Sequence, residues 1–396
     1  MSFSIATSGL NAISEQLTSI SNNIANSGTV GFKSGRAEFA SLYADGQALG
    51  VGVTSVAQSI TRSGDISATG NALDLAINGN GFFMVRDGNG APAYTRAGYF
   101  GTDDSGNLVN KLGMYLQGYP VDANGNLQVG TVGNLTISND AMPAKASDSL
   151  DFTANLNANA KVPETKTFDP KDSTSYNDTY TTTVYDSLGR EHTLSQYFVK
   201  TEDNTWQVHY VMDGERMEGA TQELSFTSQG ILSSPDKPVS LTVAIPGADN
   251  MTLALNYKGS TQYGSDFSVS KNSSSGYASG QRTGQAIDAD GSVFAIFSNG
   301  ERKLQGQLAL ANFANPQGLS AEDGTCWRAT RQSGDALLGA PGTGLLGAVK
   351  SGFLEASNVD MTSELVGLMS AQRNYQANTK VISTNDNMMN ALFQAV

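Results

Sequence analysis

The chain has 396 residues, 39% hydrophobic and only 15% charged, with 43 glycines and a formal net charge of −13. That length accommodates two or three domains, and a Gly-, Ser-, Thr- and Asn-rich mixture suits many short strands joined by tight turns. The acidity leaves no basic stripe for nucleic acid and disfavours anionic membrane surfaces.

At the start, Phe3, Ala6, Leu10, Ile13, Leu17, Ile20 and Ile24 are spaced alternately three and four apart. This heptad rhythm predicts a helix with a coiled-coil seam. The helix should stop near residues 22–31, where Asn22, Asn23 and Asn26 tolerate a left-handed cap and Gly28 and Gly31 follow. No secretory leader is read here, because polar residues interrupt every apolar run before the first basic residue, Lys33. No stretch approaches the roughly 20 apolar residues of a membrane span, so membrane insertion is not expected. Next, residues 71–100 hold apolar runs broken by Asn78-Gly79, Asp87-Gly88 and Asn89-Gly90, read as hairpin turns. Similar turns recur at 103–107, 122–126 and 288–292. In the middle, Trp206, Val208, Tyr210 and Met212 form one buried strand face. Val239, Leu241, Val243 and Ile245 alternate, a turn follows at 246–250, and Met251, Leu253, Leu255 and Tyr257 alternate again. That pattern is a β-hairpin with one buried face. At the far end, Met361, Leu365, Leu368, Tyr375, Ile382, Met389, Phe393 and Val396 resume the heptad rhythm, with Gln372, Thr379 and Asp386 as polar intrusions. Asp360 or Thr362 caps this second helix, and Glu364 in its first turn suits the helix dipole. Such helices are marginal alone in water. Their stripes are covered by each other, or by helices of neighbouring copies.

The expected fold is mainly β with terminal α-helices. Residues 1–27 with 360–396 form a coiled-coil-like helical core segment, joined by connecting segments at 28–70 and 348–359. A discontinuous inner β domain spans 71–145 with 284–347. Residues 146–283 are an inserted outer β domain, bracketed by polar, turn-rich linkers at 143–166 and 271–285.

Little in the chain announces chemistry. His192 and His209 stand apart and are read as ordinary surface residues. The glycine-rich run at 78–83 lacks the Lys-Ser/Thr of a phosphate cradle, and the run at 288–292 mimics a calcium loop with its glycine misplaced and Asn299 where the bidentate Glu belongs. Cys326, the single cysteine, is read as a half-buried small residue. No catalytic residue, metal ion or cofactor is expected.

The opening segment resembles the N-terminal signature shared by flagellar rod, hook and hook-associated proteins, at Asn22, Asn23, Ile24, Ala25 and Asn26, then Gly31, Phe32 and Lys33. The closing segment resembles the same family's C-terminal signature. There the matching residues are Leu354, Glu355, Ser357, Asn358, Val359, Glu364, Leu365, Gln372, Arg373, Asn374 and Tyr375. Residues 310–319 and 71–83 also look like this family. The resemblance implies a structural protein that forms an open helical homopolymer, with terminal helices stacked around a central channel and β domains in outer shells. The extra β segment points, within the family, to the hook subunit. It would build a curved flexible tube that acts as a universal joint and passes motor torque from rod to filament. The alternatives are a distal rod or hook-associated junction protein, or a secreted β-rich binding module. Implied partners are further copies of the chain, the distal rod protein at the base, the hook cap during assembly, the junction protein at the tip and the flagellar export apparatus. The place implied is the extracellular part of the flagellum, reached without a cleaved signal peptide. Residues 39–43 are similar to the element that docks export substrates on the secretion gate, with Phe39 and Tyr43 as its apolar anchors.

Overall fold

The computed structural model describes residues 2–44, 47–122 and 124–395. Helix α1 spans Ser2–Ala25 and helix α2 spans Met361–Ala395, so both heptad segments are helical, and the described residues between them are strands, turns and loops with one short 3-10 turn. The chain divides into two compact units. Residues 140–283 with 297–301 form one, and the remainder the other.

In the larger unit the strand pair β1 (Gly35–Ala44) and β2 (Gln47–Gln58) makes a long antiparallel hairpin beside the helices. Beyond it lies an antiparallel sheet in which Phe82–Arg86 pairs with Pro92–Thr95 and Tyr115–Pro120, and Cys326–Arg328 joins the edge of Pro92–Thr95. Its core is aromatic: Phe82 meets Trp327 edge-on at 5.6 Å between centroids, and Tyr94 meets Phe313 at 4.8 Å. The predicted turns at 87–91, 103–107, 122–126 and 288–292 form. In each, an aspartate backbone N–H donates to the carbonyl four residues on. Asp103 shows why Asp leads such a turn, since its Oδ1 accepts the backbone N–H groups of Ser105 and Asn107 while Gly106 takes φ +80°. Asn78-Gly79, read as a hairpin turn, is not one. Leu75–Asn78 pairs with the distant strand Ala348–Ser351 instead. Gly79 is needed there for close approach, because a Cβ would sit 3.0 Å from the Gly347 Cα and its φ is +120°.

The smaller unit contains two sheets that share one core. The first is an antiparallel meander of Asp178–Tyr185, Glu191–Glu202, Thr205–Met212, Glu215–Phe226 and Leu232–Ser234. The second is built on Val239–Val243, Met251–Asn256 and Ser149–Asn157. The expected hairpin is present, with Leu241 opposite Leu253 and Val243 opposite Met251. Trp206, Tyr210, Phe152, Phe198 and Tyr257 fill the shared core. Two polar pairs lie within it. Trp206 Nε1 donates to Gln262 at 2.9 Å, and the Tyr210 and Tyr257 hydroxyls bond to each other at 2.9 Å.

Two expectations fail here. The stretch 143–166, read as a linker, contains the strand Ser149–Asn157, whose alternate residues Leu150, Phe152, Ala154 and Leu156 are buried. Similarly, the stretch 271–285 carries part of Ser268–Ser274, which pairs with that same strand. The histidines are not ordinary surface residues either. His209 is buried against the ring of Phe168, stacked at 4.2 Å, because residues 158–177 pass over the second face of its strand. His192 lies between two carboxylates, with Nδ1 at 2.6 Å from Asp213 and Nε2 at 3.3 Å from Asp186.

Candidate functional site

The stem of the larger unit is where the predicted assembly residues lie. On α1, Ile13 and Ile20 are buried against Ala371 of α2, with Leu17, Ile24 and Leu368 half-buried around them. Leu10 is also half-buried, while Phe3 is 49% exposed. The face that α2 turns to α1 is not the predicted seam. It runs through Glu364, Gly367, Leu368, Ala371 and Asn378. A Cβ added to Gly367 would meet Ile20 at 3.4 Å, and one added to Gly9 would meet Asn378 at 3.1 Å. Small side chains at these points let the two helices approach closely. Of the predicted seam, Leu368 reaches α1 and Ile382 is half-buried, whereas Leu365 (48%), Tyr375 (41%) and Met389 (49%) face outward. The side chain of Phe393 lies outside the described residues. Phe39 and Tyr43, the two anchors on β1, are exposed.

The signature residues fall into two groups. Gln372, Arg373 and Tyr375 are exposed on α2, and Ala25 is exposed at the end of α1. The others build a polar seam at the foot of the stem. Asn22 and Asn26 close α1: Asn26 Nδ2 donates to the Asn22 carbonyl at 3.0 Å and to its Oδ1 at 2.9 Å. Asn23, 1% exposed, grips the start of β1, since its Oδ1 accepts the Gly35 N–H and its Nδ2 donates to the Gly35 carbonyl and to Glu364. Gly31, at φ +72°, donates its N–H to the Glu355 carbonyl at 2.8 Å, and a Cβ there would stand 2.5 Å from the Ala97 nitrogen. Only glycine fits this passage. The half-buried Phe32 offers its carbonyl to Asn358 N–H at 3.3 Å. Asn358 in turn takes the Ser34 N–H and donates to the carbonyls of Ser59 and Arg62.

At the centre of the seam is the Glu355 carboxylate. Lys33 Nζ and the Gly64 N–H donate to its Oε1 at 2.5 and 3.0 Å, and Arg96 Nη1 donates to its Oε2 at 3.0 Å. Lys33 also donates to the Arg62 carbonyl, and Arg96 to the Gly79 carbonyl, both at 2.8 Å. Burial pulls the Lys33 ammonium below its ordinary pKa range, with Glu355 opposing that shift, and Arg96 is lowered for the same reason. Sequence reasoning singled out Lys33 and Glu355 only as signature positions and missed Arg96. It stands far from both in the chain, so no local pattern could pair them.

The arrangement is structural: a paired-helix stem with an outward apolar face, fastened at its foot to a β-sheet. Comparison with known proteins gives this architecture a class. Residues 3–33 match the family described as flagellar basal body rod protein, and residues 350–395 the flagellar basal body rod FlgEFG protein C-terminal family. Between them, residues 76–149 match the flagellar hook protein FlgE/F/G D1 domain and residues 155–277 the flagellar basal body protein FlaE D2 domain. These are the parts of the axial proteins of the bacterial flagellum. Among curated relatives, the flagellar hook protein FlgE of Salmonella typhimurium is 43% identical over 402 residues, covering 99% of both chains. That of Escherichia coli is 41% identical over 399 residues at the same coverage. The crystal structure of Helicobacter pylori flagellar hook protein FlgE2 shares the fold, with a TM-score of 0.55 over 73% of this chain and all of its own, at 14% identity. The chain belongs to the flagellar hook protein FlgE family, structural proteins of the hook.

Proposed function

We propose that the chain assembles, through the outward faces of its terminal helices, into the curved flexible tube of the hook and there works as a universal joint without catalysing any reaction. The observation that carries this reading is the apolar surface that α2 leaves uncovered. Leu365, Val366, Met369, Tyr375, Val381, Met388 and Met389 are each at least 41% exposed. Leu365, Val366 and Met369 form one exposed patch on the side of α2 away from Ala371, and an exposed apolar patch of this kind marks an interface. A head-to-tail contact of this patch with a different surface of the next copy, where it does not close, propagates as an open helix. Ile13, Leu17, Ile20 and Ile24 hold α1 and α2 as one stem, and Phe3 and Leu10 add to its surface for neighbouring copies. Leu365, Tyr375, Met389 and Phe393 engage other copies.

Within this reading the four-part division into helical core, connecting segments, inner β domain and inserted β domain gives each part a radius in the tube. The distal rod protein abuts the base, the hook cap sits on the growing end, and the junction protein follows at the tip. Export proceeds through the flagellar secretion apparatus without cleavage, with Phe39 and Tyr43 as gate anchors. Their exposure is compatible with that role. Electron microscopy of the concentrated chain beside a version trimmed to residues 25–360 tests assembly. Curved tubes from the full chain and monomers from the trimmed one support it. A full chain that stays monomeric with protease-resistant ends would favour a β-rich binding module.

A further inference from the structure

We propose that the buried Lys33–Glu355–Arg96 cluster is the pin that fixes the orientation of the helical stem on the β-sheet of its unit, its charges serving register rather than stability. This deepens the reading above and rests on it for its purpose. The side chains of Lys33 and Glu355 are 0% exposed and that of Arg96 is 3% exposed. Taking such charges out of water is costly for each ion, and mutual attraction offsets this only with excellent geometry. Here the cluster holds two cations against one anion, so it buries more charge than it neutralises. Apolar side chains of similar volume would fill the same space without that cost.

What apolar side chains cannot do is choose one seat among many. Packed methylenes slide over tenths of an ångström at little cost, whereas each oxygen of the Glu355 carboxylate is committed. Oε1 takes Lys33 and the Gly64 N–H, and Oε2 takes Arg96. The placement of the donors gives this specificity its meaning. Lys33 stands just before β1, and its second bond, to the Arg62 carbonyl, reaches the segment that leads from β2 into the sheet. Glu355 ends the strand Phe353–Glu355, on the return path to α2. Arg96 directly follows the sheet strand Pro92–Thr95 and reaches back to the Gly79 carbonyl. Both passages of the chain between stem and sheet therefore meet at one carboxylate. Gly31, threaded against the backbone of Arg96 and Ala97, closes the same point sterically. A stem held this way changes angle only by leaving a buried charge unpaired.

The test uses the full chain carrying Cys326→Ala, which removes the buried native thiol. Nitroxide labels are placed at the exposed positions Ser41 on β1 and Asp104 on a turn of the sheet. Pulsed dipolar spectroscopy then reads their separation at concentrations that keep the chain unpolymerised. The parent should give one narrow distribution, and Glu355→Gln should at least double its width. Amide exchange of Phe83 and Val85 in the sheet should stay within about threefold of the parent. Lys33→Met, which leaves Glu355 paired with Arg96 and keeps the side-chain length, should broaden the distribution likewise and serves if Glu355→Gln loses its sheet. Unchanged widths in both variants would overturn the proposal. So would a rise in sheet exchange alongside the broadening in both, since the cluster would then be a general fold element. Because the distances are read on free chains, a failure to form tubes would count against the assembly reading and not against the pin.

Discussion

Asn23 employs every polar atom of its side chain at a point that water does not reach, taking and giving a bond with Gly35 while holding Glu364. Asn23→Ala leaves both half-buried backbone groups of Gly35 without that partner, and each such bond contributes about 1 kcal/mol. Chemical denaturation of the larger unit should show a loss of that order. The two histidines bear on the smaller unit with opposite sign. Burial, helped by the Arg216 charge, holds His209 at a pKa of about 4. Its folded value lies below the unfolded value of about 6.5, so its contribution is full above that pH and is lost as pH falls toward 4, at most about 3 kcal/mol. For His192, burial opposes the charge, but the hydrogen bonds it donates to Asp213 and Asp186 outweigh it and raise the pKa. Its contribution is full below about pH 6.5 and disappears as pH rises through the folded value. Melting of the smaller unit should therefore fall on acidification below pH 6.5. His209→Phe, which keeps a flat ring on Phe168, should flatten that acid limb. His192→Asn should flatten the alkaline one.

At the scale of elements, the smaller unit depends on a strand whose sequence looks unlike one. Ser149–Asn157 pairs with Met251–Asn256, Thr261–Tyr263 and Ser268–Ser274, and its Phe152 stacks on Phe198 at 5.7 Å and meets Tyr257 edge-on at 6.0 Å. Phe152→Ala should cost about 3–5 kcal/mol, read as an early separate transition of this unit in calorimetry. Why this strand escaped notice while the hairpin of Val239–Val243 and Met251–Asn256 did not is a matter of which side chains occupy the buried face. In the hairpin, Leu241, Val243, Met251, Leu253 and Leu255 are large and alternate cleanly. In Ser149–Asn157 the buried face includes Ala154, and the outward face is Ser, Asp, Thr and Asn, so composition resembled a linker. The terminal helices were legible for the opposite reason, since a heptad stripe declares itself over long stretches. The face by which they meet was not, because Gly9, Gly367, Ala371 and Asn378 serve by being small or polar and leave no hydrophobic trace. The seam was half legible. Asn23, Gly31, Glu355 and Asn358 stand in recognisable signatures, but that Arg96 completes the Glu355 site depends on a contact across 259 residues.

For the whole molecule, stability and assembly use different side chains on the same helix, and this separation is testable. Ala371 is wholly buried under Ile20 and Ile13, so enlarging or charging it should disturb the stem itself. Leu365, Val366 and Met369 lie on the other side of α2, between 48% and 55% exposed. Surface substitutions away from packed contacts usually change stability by less than about 0.5 kcal/mol. Leu365→Gln with Met369→Gln, both good helix formers in water, should therefore leave helicity and melting unchanged in the free chain. Yet an interface loses most when its exposed apolar anchors are replaced, and in an open helical polymer that loss recurs at every subunit. The expected outcome is normal folding by circular dichroism together with a critical concentration for tube formation raised at least tenfold, measured by sedimentation and electron microscopy. Tubes forming at the parent concentration would mean that the outward stripe of α2 is not what joins one copy to the next. Assembly would then have to be sought in the exposed apolar face of the hairpin, where Phe39, Leu42 and Val56 also meet solvent.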